Sequence, residues 1–286
     1  MALRLADTRY GSGPLLVCHP GGPGMHPHYL DPLAALADPG GRTVALVHPR
    51  GTGDSPRPQG PGAYRPERYA ADLVAWIERE AGGRPVDLLG HSHGGMVATL
   101  VAADRPDLVR SLVLLATPAY GGDGAEAEAE AFQQARRAES AVAGALAALA
   151  AQGDDYPPDD AALGRLIADV IPLWVGPMTP AVRAWQARLA RWPANTDALR
   201  HFNEAVFPRL DAVMERAADV VRPTLVVAGD LDGWAGPGHV ARLTRSVARG
   251  TPEVVAGAGH MCHADATEAV TAVIRQFLDR KSVIHV

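Results

Sequence analysis

The chain has 286 residues, 47% of them hydrophobic, and a formal net charge of −5. This length suits one large domain or a domain carrying an insertion, the apolar fraction is enough for a sizeable core, and the acidic balance argues against nucleic acid as a main partner. Cys18 and Cys262 match no zinc or disulfide framework, and no segment reads as a targeting peptide or reaches membrane-spanning length; the expectation is a cytoplasmic protein in a reducing compartment, away from membranes.

Taken in order, residues 1–13 read as a short strand and turn. Leu15 to Cys18 is an apolar run that halts at His19-Pro20-Gly21-Gly22-Pro23-Gly24. Tyr29 to Leu36 has helical spacing and ends near Pro39-Gly40-Gly41. Thr43 to Val47 is a buried strand that runs into His48-Pro49-Arg50-Gly51-Thr52-Gly53-Asp54-Ser55. From Pro66 to Arg79 a helix is predicted, with Tyr69, Leu73, Trp76 and Ile77 on one face. Val86 to Leu89 is a strand, Met96 to Ala103 a helix, and Ser111 to Leu115 another strand. Ala125 to Ala151 is almost pure helix former, acidic residues first and arginines later, as the helix dipole favours. From Asp154 to Leu210 prolines interrupt several short helical patterns, and Trp174, Trp185 and Trp192 fall there. A strand–helix rhythm returns at Thr224–Ala228, His239–Val247, Glu253–Val255 and Thr267–Leu278.

Strands alternating with helices predict an α/β fold, a mostly parallel central sheet with helices on both faces. The helical block at about 120–215 is read as an insertion over the C-terminal ends of the strands, where open sheets of this kind hold ligands. The expected division is a core of 1–119 and 216–286 with a helical cap, or lid, at 120–215.

The chemistry concentrates in Gly90-His91-Ser92-His93-Gly94, a Gly-x-Ser-x-Gly between a buried strand and a helix, the pattern of a nucleophile elbow. The turn leaves room only for small residues beside the serine, and the following helix aims its positive end at the place where an oxyanion would form. A serine hydroxyl needs a base, and the base needs a group to hold it. Downstream stand Asp230 and Asp232 at a strand end, then His260 after the final strand. Eleven histidines compete for roles. His91 and His93 could suggest a metal pair, but a sharp turn splays them and no Glu follows at zinc-protease spacing, so no metal is expected. His19, His26, His28 and His48 are read as shaping the pocket or capping turns. The only lysine, Lys281, sits in a polar C-terminal tail, which leaves no buried lysine for Schiff-base or serine–lysine chemistry.

Over nearly its whole length the chain resembles the α/β-hydrolase superfamily. The resemblance implies Ser92 as nucleophile, Asp232 as acid and His260 as base, with Asp230 a turn former. It implies oxyanion-hole amides from His93 and Gly22. The loop Gly21-Gly22-Pro23-Gly24 is similar to the glycine-proline loop of the proline iminopeptidase subfamily, with Pro20 where that subfamily has histidine. Arg50-Gly51-Thr52-Gly53-Asp54-Ser55 matches a second subfamily stretch, with His48 replacing an aspartate. Iminopeptidases hold the substrate's amine with acidic residues, some from the cap, and Glu204, in a stretch similar to one that subfamily uses, is a candidate for that role; Gly21, Trp174 and Trp185 are candidates for substrate contact, and the tryptophans could equally be core of the helical block. The leading expectation is a cofactor-free serine hydrolase that cleaves an ester, thioester or small amide of a small molecule through an acyl-enzyme. The alternatives are a proline iminopeptidase acting on short peptides, a non-hydrolytic biosynthetic enzyme performing cyclisation or carbon–carbon chemistry, and a binding protein. Epoxide hydrolase or dehalogenase chemistry needs a carboxylate at the elbow, where Ser92 stands.

Overall fold

The computed structural model describes residues 2–37, 41–60, 62–153 and 155–282. Among them one sheet holds β1 (Asp7–Tyr10), β2 (Leu15–His19), β3 (Thr43–Val47), β4 (Val86–His91), β5 (Val109–Leu115), β6 (Thr224–Gly229) and β7 (Gly250–Val255). The spatial order is β1-β3-β2-β4-β5-β6-β7, with β1 antiparallel to β3 and the other neighbours parallel. Side chains alternate between two cores: Val17, Leu112 and Leu114 enter one, while Leu16, Cys18, Val113 and Leu115 enter the other. That is the period-two geometry of a strand, and both faces are covered, so the strands read as continuous apolar runs.

The first helices are α1 (Pro66–Ala81) and α2 (His93–Asp104). Between β5 and β6 lies a helical block: α3 (Asp123–Ala135), α4 (Ser140–Gln152), α5 (Asp160–Val170), α6 (Pro180–Leu189), α7 (Thr196–His201) and α8 (Leu210–Met214). After β6 come α9 (Pro237–Ser246), the single turn α10 (Cys262–Asp265) and α11 (Thr267–Ser282). Residues of α1, α2 and α9 pack on one face of the sheet; α11 and a 3₁₀ segment, Pro27–Leu36, pack on the other. α2 is buried without interruption from His93 to Ala102, because the sheet lies on one side and α1 and α8 on others, so it has no polar stripe.

Three expectations change. The helical spacing at Tyr29–Leu36 winds as a 3₁₀ segment, because Pro32 inside it has no N–H to give to an α-helical ladder. The run from Ala125 to Ala151 is broken between α3 and α4. At the break Arg136 bonds to Glu139 at 3.0 and 2.9 Å and to the carbonyl of Val175 at 2.9 Å, and the turn brings Val142 and Ala145 onto Val170 and Leu173. Lys281 lies within α11 rather than in a tail, its side chain outside the described residues, as are Pro39 and Gly40 of the predicted turn.

The loop after β3 is fixed by a buried ion pair. Arg50 donates to Asp72 of α1 at 2.9 and 2.8 Å and to the carbonyls of Ala63 and Arg68, while the other Asp72 oxygen accepts from the Leu3 amide at 2.6 Å. Both side chains are almost fully buried. Arg50→Ala leaves a buried carboxylate without its cation and should cost about 3–5 kcal/mol. Urea unfolding measures this; a loss under about 1 kcal/mol would mean that Asp72 is solvated or neutral without its partner.

Candidate active site

β4 ends at His91, and the chain turns at once into α2. Ser92, at the apex, has φ 53° and ψ −122°, a conformation rarely adopted by a residue with a side chain. Its amide is tied to the Leu115 carbonyl at 2.9 Å. A Cβ on Gly90 would stand 2.2 Å from the Gly94 carbonyl oxygen, and one on Gly94 would stand 2.2 Å from the His19 carbonyl oxygen. Both positions therefore need glycine, and the close approach locks the strained turn against the end of β2.

Three side chains from three strand ends converge here. Ser92 Oγ lies 3.0 Å from His260 Nε2. His260 Nδ1 lies 2.9 Å from Asp232 Oδ2. The second Asp232 oxygen accepts from the amides of Trp234 and Ala235 at 2.8 and 2.9 Å, so the carboxylate has one orientation, and it is buried. Its acceptor role fixes the His260 proton on Nδ1 and leaves Nε2 to accept from the serine hydroxyl. Asp230 lies outside this set: it is exposed and accepts from the Gly257 amide at 2.7 Å, holding the turn after β7. Ser92 is half-buried and His260 is 8% exposed, so the pair can be approached from solvent.

His93 opens α2, and Gly22 lies in the loop after β2 with φ 102°. Among the described residues no protein acceptor takes the amide of either, and the first amides of a helix have none within it. Gly21 differs: its N–H donates to the Tyr29 hydroxyl at 2.7 Å, so that amide is unavailable to a substrate. A Cβ there would meet the His91 carbonyl oxygen at 2.4 Å and Ser92 Cβ at 2.8 Å, so Gly21 works by letting the loop lie against the elbow.

The other histidines have separate places. His91 turns toward Tyr29, His260 and His263, while His93 turns toward Tyr69 and Phe202, so the two do not converge. Burial pushes His93 down to about 3, helped by nearby His19, and burial pushes His19 down to about 4. Both stay neutral near neutral pH. His48 accepts from the Asp54 amide at 3.1 Å, and His26 caps the 3₁₀ segment by accepting from the His28 amide at 3.3 Å.

The helical block sits on loops that follow the C-terminal ends of the strands. Asn195 caps α7 and donates to the Gly51 carbonyl at 3.0 Å and to the Tyr64 hydroxyl at 2.9 Å, and its own amide donates to the Gly24 carbonyl. Trp192 stacks on His26 with ring centroids 4.0 Å apart. Trp185 is buried, and its indole donates to the Tyr29 carbonyl at 3.0 Å, which makes it part of the joint between block and core. Trp174 is half-buried, and its carbonyl accepts from the Met261 amide at 2.8 Å, next to His260. Glu204 is exposed on a wide π-type turn, Phe202–Val206, with no partner bringing it toward Ser92 among the described residues. Sequence reasoning missed Asn195, Tyr29 and Asp265. Asp265 accepts from the amides of Gly176 and Gly259 at 2.6 and 2.9 Å and so joins the block to the loop bearing His260. Asn195 carries a local signal, since asparagine before a helix is a preferred cap, but nothing local marks the contacts that any of the three makes with partners far along the chain.

Among the described residues no helix is long and apolar enough to cross a membrane. A proline iminopeptidase of Lactobacillus helveticus is 35% identical over 116 residues, 40% of this chain and 39% of that protein, so the chain spans about two-fifths of the length of the curated iminopeptidases it matches. A 2-(acetamidomethylene)succinate hydrolase of Mesorhizobium japonicum is 29% identical over 275 residues, 94% of this chain and 89% of that one. A solved thermophilic esterase of Thermogutta terrifontis superposes with a TM-score of 0.68 at 22% identity, over 97% of this chain and 93% of that one, a likeness of fold. The family profile described as the alpha/beta hydrolase fold matches residues 14–267, from the start of β2 to the start of α11. With that match spanning the strands that carry Ser92, Asp232 and His260, the chain belongs to the α/β-hydrolase family.

Proposed function

We propose that the protein is a serine hydrolase that cleaves an acyl bond of a small molecule through an acyl-enzyme. Ser92 attacks the carbonyl carbon while His260 takes its proton, and Asp232 stabilises the imidazolium. The amides of Gly22 and His93 hold the oxyanion. His260 then hands the proton to the leaving group, and a water, activated by the same imidazole, releases the acyl group. The observation that carries this reading is the pair of contacts made by His260, 3.0 Å to Ser92 and 2.9 Å to Asp232. Residues 120–215 act as a cap on the core of 1–119 and 216–286, and substrate enters between them.

The acyl group belongs to a small metabolite rather than to an N-terminal proline. An iminopeptidase needs an acid beside the substrate's amine, and Glu204 is exposed. The relative matched over most of its length is named for a substrate with an acetamido group, which agrees with a small-molecule acyl bond. The iminopeptidase reading is favoured by the stronger identity of the partial match. Assaying a proline amide of a fluorescent amine beside short acyl esters and N-acetyl amides separates the two. Turnover of the esters or acetyl amides is expected; turnover of the proline compound alone would overturn the choice.

A further inference from the structure

The base and the nucleophile come from strands that are not neighbours. β2 and β4 are adjacent and in register, His19 opposite Gly90, so backbone bonds align the loop after β2 with the elbow. β7 is separated from β4 by β5 and β6, and no ladder sets the loop of His260 against Ser92. Sheet twist accumulates across such a gap.

We propose that Tyr29 and His91 are positioning residues that close this gap through a one-way chain of buried hydrogen bonds. The inference rests on the reading of Ser92 and His260 given above. The Gly21 N–H donates to the Tyr29 hydroxyl oxygen at 2.7 Å. The hydroxyl's single hydrogen is then left for His91 Nδ1, also at 2.7 Å. His91 Nε2 lies 3.0 Å from the His260 carbonyl oxygen, which can only accept, so Nε2 carries the imidazole proton and Nδ1 is the acceptor. Every donor and acceptor in the chain has one consistent role, and Tyr29 and His91 are each 1% exposed. Burial also holds His91 well below its ordinary pKa, which keeps the Nδ1 lone pair that the chain needs.

The Tyr29 backbone is fixed in turn. Its carbonyl accepts from the Trp185 indole at 3.0 Å and from His263 Nε2 at 3.2 Å, bringing in the helical block and α10. Gly21 precedes the proposed oxyanion residue Gly22, His91 precedes Ser92, and the chain ends on the peptide of His260. The three parts of the reacting site are thus registered to one another by two side chains that touch no substrate.

The probe is a fluorophosphonate, which reacts with an activated serine without knowledge of the substrate; the readouts are the rate of labelling at Ser92 and its pH profile. Tyr29→Phe keeps the ring and removes only the hydroxyl, and His91→Leu removes both nitrogens. Each should slow labelling by about 10- to 100-fold, as expected for sub-ångström misplacement of reacting groups, and the double variant should be no slower than the worse single one. His91→Gln can still present an N–H to the His260 carbonyl and should recover most of the rate, whereas a role in packing alone would give Gln no advantage over Leu. Wild-type labelling rate and pH profile in Tyr29→Phe, or equal rates for His91→Gln and His91→Leu, would overturn the proposal. Failure of the wild-type protein itself to label at Ser92 would instead overturn the reading on which it rests. If Tyr29→Phe does not fold, the His91 pair decides.

Discussion

Ser92→Ala should lower turnover of a short acyl ester by about four to six powers of ten while leaving the fold in place. The size follows from how the site divides the work. In the proposed mechanism His260 and Asp232 have no function without a hydroxyl to deprotonate, so removing the nucleophile removes the contribution of all three at once. What remains is the binding of substrate and whatever polarisation the free amides of Gly22 and His93 provide. The substitution is conservative for structure. Alanine keeps the Cβ that already stands at φ 53°, and the Ser92 amide keeps its bond to the Leu115 carbonyl. Thermal melting should therefore match the parent within about a degree or two, since surface-scale changes stay within about 0.5 kcal/mol. Turnover near the parental value, in a preparation free of contaminating esterase, would remove the proposed mechanism.

Mild acid should unfold the protein. Burial pushes His19 down to about 4 and His93 and His263 down to about 3, from an ordinary value of 6.5, and it lowers His91 in the same direction. Burial is the main cause, and the surroundings offer little to hold an added proton. His91 uses Nδ1 as an acceptor, while Nδ1 of His263 and Nε2 of His19 face no partner, so a proton there would be a buried, unpaired charge. The folded pKa values lie below the unfolded ones, so between them the unfolded chain binds more protons. Stability is then fully present above pH 6.5 and is lost as pH falls toward the folded values. At pH 5 the rings of His19, His93 and His263 each cost about 2 kcal/mol, about 6 kcal/mol together, and His91 adds to this in the same direction. That is comparable with the whole stability of a typical domain, about 5–15 kcal/mol, so it outweighs surface ion pairs, which contribute about 0–1 kcal/mol each. The melting temperature should fall steeply below pH 6.5, with uptake of several protons per molecule on unfolding at pH 5 to 5.5. A melting temperature that stays level down to about pH 4.5 would mean that these imidazoles are solvated or already charged in the native state.

The elbow and the strands beside it were legible in the sequence because each is a local event. Gly90 and Gly94 are forced by contacts within a few residues or with the adjacent strand, and strand faces repeat with period two wherever the chain is extended. The order of serine, acid and histidine also survives in one dimension, because parallel strands deliver their C-terminal ends to the same edge. The family resemblance supplied the roles; composition alone would have left the two aspartates undecided.

Local propensity overreached where packing decides. No glycine or proline stands between Gln133 and Ser140, and yet the run from Ala125 to Ala151 turns at Arg136, where it bonds to Glu139 and to the Val175 carbonyl, a partner far along the chain. Glu204 matched a family stretch, but its exposure depends on how the turn at Phe202–Val206 is set on the core. Trp185 could have been pocket or core until its indole met the Tyr29 carbonyl, 156 residues away in sequence. By itself, then, the sequence determined the sheet and the elbow, both governed by short-range sterics and periodicity. Only the tertiary structure decided which amides are free, which histidines are neutral and how the base is held, because those depend on burial and on hydrogen bonds between residues that the chain itself keeps far apart.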